Sequence, residues 1–119
     1  MKPSTAIQAL SALAQASRLA AYRLLVQAGS EGLAVGEISR RLKVPAPTLT
    51  SHLNVLRRAG LVRDEREGRV IRCRADYVQM NALLGFLSEN CCAGDLGACA
   101  PAGTCASSSR KTNSRSSKP

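Results

Sequence analysis

Residues 47–62 read Pro47-Thr48-Leu49-Thr50-Ser51-His52-Leu53-Asn54-Val55-Leu56-Arg57-Arg58-Ala59-Gly60-Leu61-Val62. Leu49, Leu53 and Leu56 recur at the spacing of one helical face. Thr50, Ser51, Asn54 and Arg58 fall on the opposite face, and Thr48 lies near its N-terminal end. Pro47 suits a first helical turn and Gly60 stops the pattern, so a helix is predicted from Pro47 to Ala59. Its apolar side wants a core. Its other side offers short polar groups and arginines, which is what base edges and phosphates in a major groove accept.

The neighbours of this helix give it a context. Upstream, Val35, Ile38 and Leu42 predict a short helix over 35–42, and Lys43-Val44-Pro45-Ala46 makes a tight break. Further upstream the spacing predicts helices over 4–15, with Ile7, Leu10 and Leu13 as its apolar side, and over 17–28, with Gly29 as its stop. Downstream the period changes to two. Residues 61–64 and 69–74 read as strands around a Glu67-Gly68 turn, and a last helix is expected over 76–89 with Met80, Leu83, Leu84 and Leu87 on one side. Two helices across a tight turn, followed by a basic hairpin, are the parts of a winged helix-turn-helix. The expected fold is therefore mainly α with a small β-hairpin, in the order α-α-α-α-β-β-α.

Charge agrees with that reading. The chain of 119 residues carries 17 Lys+Arg against 8 Asp+Glu, a net +9. Residues 1–76 hold 13 of the cations, residues 77–105 none. A polyanionic partner, double-stranded operator DNA first, is expected. Thr48, Thr50, Ser51, His52, Asn54, Arg57 and Arg58 on the helix, with Arg66 and Arg69 at the hairpin tip, are the candidate DNA-binding residues. No run of 18 apolar residues occurs, so no membrane partner is expected. Gln8, Ser11, Gln15, Ser17, Arg18 and Arg23 interrupt the apolar N-terminal stretch, which fits an amphipathic helix better than a signal peptide. A cytoplasmic location with reduced thiols follows. No paired carboxylates, nucleophile-base pair or phosphate loop occurs, so neither an enzyme nor an organic cofactor is expected.

The block Thr50–Val62, the stretch Ala14-Gln15-Ala16-Ser17-Arg18-Leu19 and Glu67-Gly68-Arg69 together resemble the ArsR/SmtB family of metal-responsive repressors, over about residues 5–90. The resemblance implies a homodimer that joins through its first and last helices and leaves its operator when a metal or metalloid binds. The sequence departs from two of the family's sensor sites. Where thiolate ligands occupy the third helix in some members, this chain has Ala34 and Gly36; where zinc ligands occupy the last helix, this chain has no histidine.

The ligands are then sought elsewhere. Of five cysteines, Cys91, Cys92, Cys99 and Cys105 follow the last helix. Thiolates are soft ligands and select thiophilic ions. Trivalent arsenic and antimony take three sulfurs in a pyramid, which an adjacent pair and a third thiol across Gly94 and Gly97 can supply. Arsenic-responsive members of the family are similar in placing such a pair and a later cysteine there, which implies Cys91, Cys92 and Cys99 as ligands of arsenite or antimonite, with Cys105 as an alternative. Cys73 is expected to be a small core residue. Other readings are a repressor selective for methylarsenite, which takes two sulfurs, a thiol redox sensor, and a zinc- or cadmium-responsive regulator. The expected organisation is a DNA-binding and dimerisation domain over 1–90, a cysteine-rich sensing segment over 91–105 and a disordered basic tail over 106–119.

Overall fold

The computed structural model describes residues 1–94. Helix α1 (Pro3–Leu13) opens on a proline at its first position, where the missing N–H costs nothing. Helix α2 (Ala16–Ala28) follows a sharp corner. There the Gln15 side chain accepts from the Arg18 N–H at 2.8 Å, while Arg18 Nε donates to the Ala12 carbonyl at 2.7 Å. A short 3-10 turn and Gly32 lead to strand β1 (Leu33–Ala34), which runs straight into α3 (Val35–Leu42). Helix α4 (Ala46–Arg58), strands β2 (Val62–Glu67) and β3 (Val70–Ala75), and helix α5 (Tyr77–Leu87) complete the order. The winged helix-turn-helix architecture is thus realised.

The sheet has three strands in the order β1-β3-β2, all antiparallel. The sequence pattern predicts the hairpin alone. A two-residue strand carries no period of its own, and β1 exists because Leu33 and Ala34 pair with Cys73 and Arg72. The wing is also longer than the apolar pattern suggests, because the exposed, charged residues of β2 hydrogen-bond across to β3 as far as the Glu67–Val70 pair. The turn is accordingly Gly68-Arg69, with Gly68 at φ 61, the positive value that the first position of a type II′ turn needs.

Met1–Phe86 form one compact unit. Its fully buried centre is Leu25, Ile38, Leu49, Leu53, Leu56, Leu61 and Cys73. Each large aliphatic side chain there contributes roughly 1.5–3 kcal/mol by leaving water. The buried side of α1 differs from expectation. Ala6, Ala9 and Ala12 face the core, while Ile7 and Leu10 stand exposed, Ile7 at 66%. Small residues let α1 lie close to its neighbours, and larger side chains there would hold it off. Asp76 starts α5 by accepting from the Gln79 N–H at 3.0 Å, a helix cap, and the Tyr77 hydroxyl ties it to α2 through the Val26 carbonyl at 2.9 Å. On α5 Leu83 is buried, Met80 and Leu84 are half-buried, and Val78 is exposed.

A second unit begins at Leu87. Within it a 3-10 turn spans Cys91–Gly94, the Cys91 N–H donates to the Ser88 carbonyl at 3.0 Å, and Asn90, Cys92 and Ala93 all have positive φ. The tail over 106–119, together with Cys99 and Cys105, lies outside the described residues.

Candidate nucleic-acid interface

The helix-turn-helix is held at its turn. Lys43 adopts the left-handed conformation at φ 57, the Val44 N–H donates to the Ser39 carbonyl at 3.2 Å, and the Ser39 hydroxyl donates to the Val44 carbonyl at 2.5 Å. Ser39 therefore clasps both polar groups of Val44 and sets the angle between α3 and α4. Serine is common enough in helices that nothing in its spacing marks this role. Leu49, Leu53 and Leu56 are completely buried and fix the rotation of α4 about its axis. That rotation leaves Thr48, Thr50, Ser51, Asn54 and Arg58 on the outward side, with His52 half-buried.

Each outward group has a definite state. The Thr50 hydroxyl donates back to the Ala46 carbonyl at 2.9 Å, which leaves its lone pairs and methyl group outward. The N-cap, Pro45, offers no side-chain oxygen to the first N–H groups of α4. These uncovered donors sit beside Thr48, where a phosphate is favoured. Arg58 makes no ion pair among the described residues, and its carbonyl accepts from Gln8 Nε2 at 3.3 Å, joining the end of α4 to α1.

Arg57 lies differently from the other candidates. Its Nε meets the Asp64 carboxylate at 2.9 Å, Nη1 donates to Asn54 Oδ1 at 2.7 Å, and Nη2 donates to Cys73 Sγ at 3.4 Å. It bridges α4 to both wing strands, and its side chain is only 25% exposed. An Asn–Arg pair at i, i+3 on a helix is the available sequence signal for this contact. Cys73 is buried as expected. Burial, and then the negative charge of Asp64, push its thiol from 9.0 up to about 11, with Arg57 opposing.

On the wing, acids and bases pair diagonally across the strands. Arg72 meets Glu67 at 2.9 Å and Arg74 meets Glu65 at 3.6 Å. Exposed pairs of this kind stabilise little, about 0–1 kcal/mol each. Their effect is on the field: they cancel the wing's carboxylates and leave Arg66 and Arg69 as unpaired cations among the described residues, beside the Gly68 turn. The interface thus combines a polar helix face with a cationic strand tip, the pairing of base readout with phosphate anchoring.

The candidate sensing cysteines divide. Cys91 is half-buried and Cys92 exposed, adjacent in the turn after α5, while Cys99 and Cys105 fall outside the described residues. Among the described residues no three His, Cys, Asp or Glu side chains gather into a metal site. No helix there is long and apolar enough to cross a membrane.

Comparison with known proteins follows the same outline. Residues 13–65 match the helix-turn-helix domain family. An uncharacterized HTH-type transcriptional regulator of Methanocaldococcus jannaschii is 37% identical over 67 residues, spanning 56% of this chain and 73% of that protein. An ArsR-like transcriptional regulator from Rhodococcus sp. RHA1 superposes with a TM-score of 0.65 at 27% identity, over 71% of this chain and 77% of that one. A homodimeric winged helix-turn-helix DNA-binding domain from Mycobacterium bovis, from a possible ArsR-family regulator, superposes with a TM-score of 0.58 at 28% identity, over 73% of this chain and 81% of that one.

Proposed function

The chain belongs to the ArsR-like family of winged-helix, DNA-binding transcriptional regulators, and from that premise we propose that it is a dimeric repressor released from its operator by trivalent arsenic or antimony. The observation that carries the effector is the vicinal pair Cys91-Cys92 immediately beyond α5, followed by Cys99 in a stretch without a single basic residue. Soft, adjacent sulfurs suit a thiophilic centre with a pyramidal demand for three ligands. Cys91, Cys92 and Cys99 are the ligands, with Cys105 as the alternative third. Each thiol proton leaves with a hydroxyl of the arsenite or antimonite as water, so As–S or Sb–S bonds replace bonds to oxygen with no net release of protons.

The dimer is supported by apolar surface that the single chain leaves wet. Ile7 and Leu10 on α1 and Val78 on α5 are exposed. The Mycobacterium bovis relative is homodimeric. Joining two copies through α1 and α5 covers these side chains and sets two α4 helices at the roughly 34–36 Å repeat of successive major grooves. Constraining the segment that leaves α5 then acts on the element that spaces the readers. A coupling of about 1–3 kcal/mol lowers DNA affinity roughly 5–150-fold. The same reading puts the protein in the cytoplasm, where its thiols stay reduced.

The test is a fluorescence-anisotropy titration on a duplex from the protein's own promoter, challenged with arsenite, antimonite, methylarsenite, zinc, cadmium and peroxide. Release by arsenite and antimonite supports the proposal. Release by peroxide alone, or by zinc or cadmium alone, replaces it with the redox or divalent-metal reading.

A further inference from the structure

Beyond its ion pair with Asp64, Arg57 donates through Nη1 to Asn54. Arginine has no acceptor atom, so the Asn54 atom facing it at 2.7 Å is the carbonyl oxygen; the chemistry, not a choice of orientation, assigns it. Asn54 Nδ2 is then the atom left for the outside. Bidentate recognition of adenine needs both ends of the carboxamide turned to one base, the oxygen accepting from N6 and the nitrogen donating to N7. With its oxygen turned along the helix toward Arg57, Asn54 has its two amide N–H donors left to give to a base. Arg57 is itself held from the wing, by Asp64 at 2.9 Å and by Cys73 on the neighbouring strand. Three of its five N–H groups are engaged and its side chain is three-quarters covered.

We propose that Arg57 is a positioning residue: it orients Asn54 so that α4 reads guanine, whose N7 and O6 are both acceptors in the major groove, and it makes no phosphate contact of its own. This rests on α4 being the helix that reads DNA, and it is independent of what the effector is. The wing therefore takes part in base selection without touching that base, since Asp64 on β2 anchors the group that aims Asn54.

The experiment selects binding sites from a randomised duplex pool with the wild-type chain, then measures base preference and salt dependence on the selected duplex. Asn54→Ala and Arg57→Gln are expected to relax the same base pair, one where G·C is required, each by about 5- to 10-fold. The slope of log affinity against log salt is expected to be unchanged in Arg57→Gln. In Arg58→Gln it is expected to fall by about 0.9 for each phosphate no longer neutralised. Asp64→Asn keeps a neutral acceptor for Arg57 and is the second probe should Arg57→Gln lose its circular-dichroism signature; it is expected to relax the same base pair to a smaller degree. The proposal is overturned if Arg57→Gln flattens the salt slope as Arg58→Gln does, if the position relaxed by Asn54→Ala selects an A·T pair, or if Asp64→Asn leaves that position as selective as wild type. A wild-type chain that selects no sequence overturns it together with the reading of α4. A chain that selects a sequence but ignores arsenite overturns only the effector assignment and leaves this inference standing.

Discussion

A side-chain carbon built on Gly32 would collide with the carbonyl oxygen of Cys73, because the chain enters β1 pressed against the backbone of β3. Gly32 also holds φ at +66. With ψ at −166, Gly32→Ala faces two costs, about 1–3 kcal/mol for a backbone region essentially confined to glycine and more for a backbone clash that no rotamer relieves. Gly29 has a similar φ of +79 with nothing within 4 Å of the added carbon. Urea unfolding is expected to show Gly29→Ala, with ψ at −161, destabilised by about 1–3 kcal/mol and Gly32→Ala by clearly more. Equal losses would mean that the close approach is absent.

The Tyr22 hydroxyl is buried without a hydrogen-bond partner among the described residues. Tyr22→Phe removes an unsatisfied group while keeping the ring, so it is expected to stabilise the chain by about 1 kcal/mol at neutral pH. Burial, then the charges of Asp76 and Tyr77, push the phenol from 10.0 up to about 12. The folded state thus favours the protonated form. Its contribution is complete below pH 10 and is lost as pH rises through 12, when the unfolded chain ionises first. Alkaline unfolding of Tyr22→Phe followed by circular dichroism should accordingly be shallower than wild type over that window.

Cys73 and Cys92 should differ sharply in reactivity. The Cys73 thiol is buried and pushed up to about 11, whereas Cys92 is exposed. Alkylation of the native chain near pH 8, read by peptide mass spectrometry, is expected to modify Cys92 and to spare Cys73 until denaturant is added. Modification of Cys73 at the native rate of Cys92 would contradict its place in the core.

Whatever repeats with a regular period is legible in the sequence. Leu49, Leu53 and Leu56 define α4 to within one residue at each end, and with it the outward face. Strand β1 is invisible there because two residues make no period; its pairing with β3 is a long-range event. The inward side of α1 is not legible from hydrophobic size, because size and burial part company on this helix. Ala6, Ala9 and Ala12 pack where space is short, and Ile7 and Leu10 remain for another surface. Arg57 reads as one more cation on a basic helix end. Its three internal contacts depend on Asp64 and Cys73, which only the folded wing brings beside it.

Ile7 tests the dimer. Its side chain is 66% exposed, and α1 docks through its alanines, so Ile7→Asp leaves the core intact. Analytical ultracentrifugation is expected to find the variant monomeric, with wild-type circular dichroism and much weaker operator binding. A variant that remains dimeric would remove α1 from the interface.

Release from DNA is proposed to be governed by the thiols beyond α5. Its most direct measurement is anisotropy of the full chain on its promoter duplex with arsenite added, for wild type and for Cys91→Ser, Cys92→Ser and Cys99→Ser. Wild type is expected to lose roughly 5–150-fold in affinity, while each serine variant stays bound at the same arsenite concentration. Wild type that stays bound, or three variants that all release like wild type, would contradict the claim.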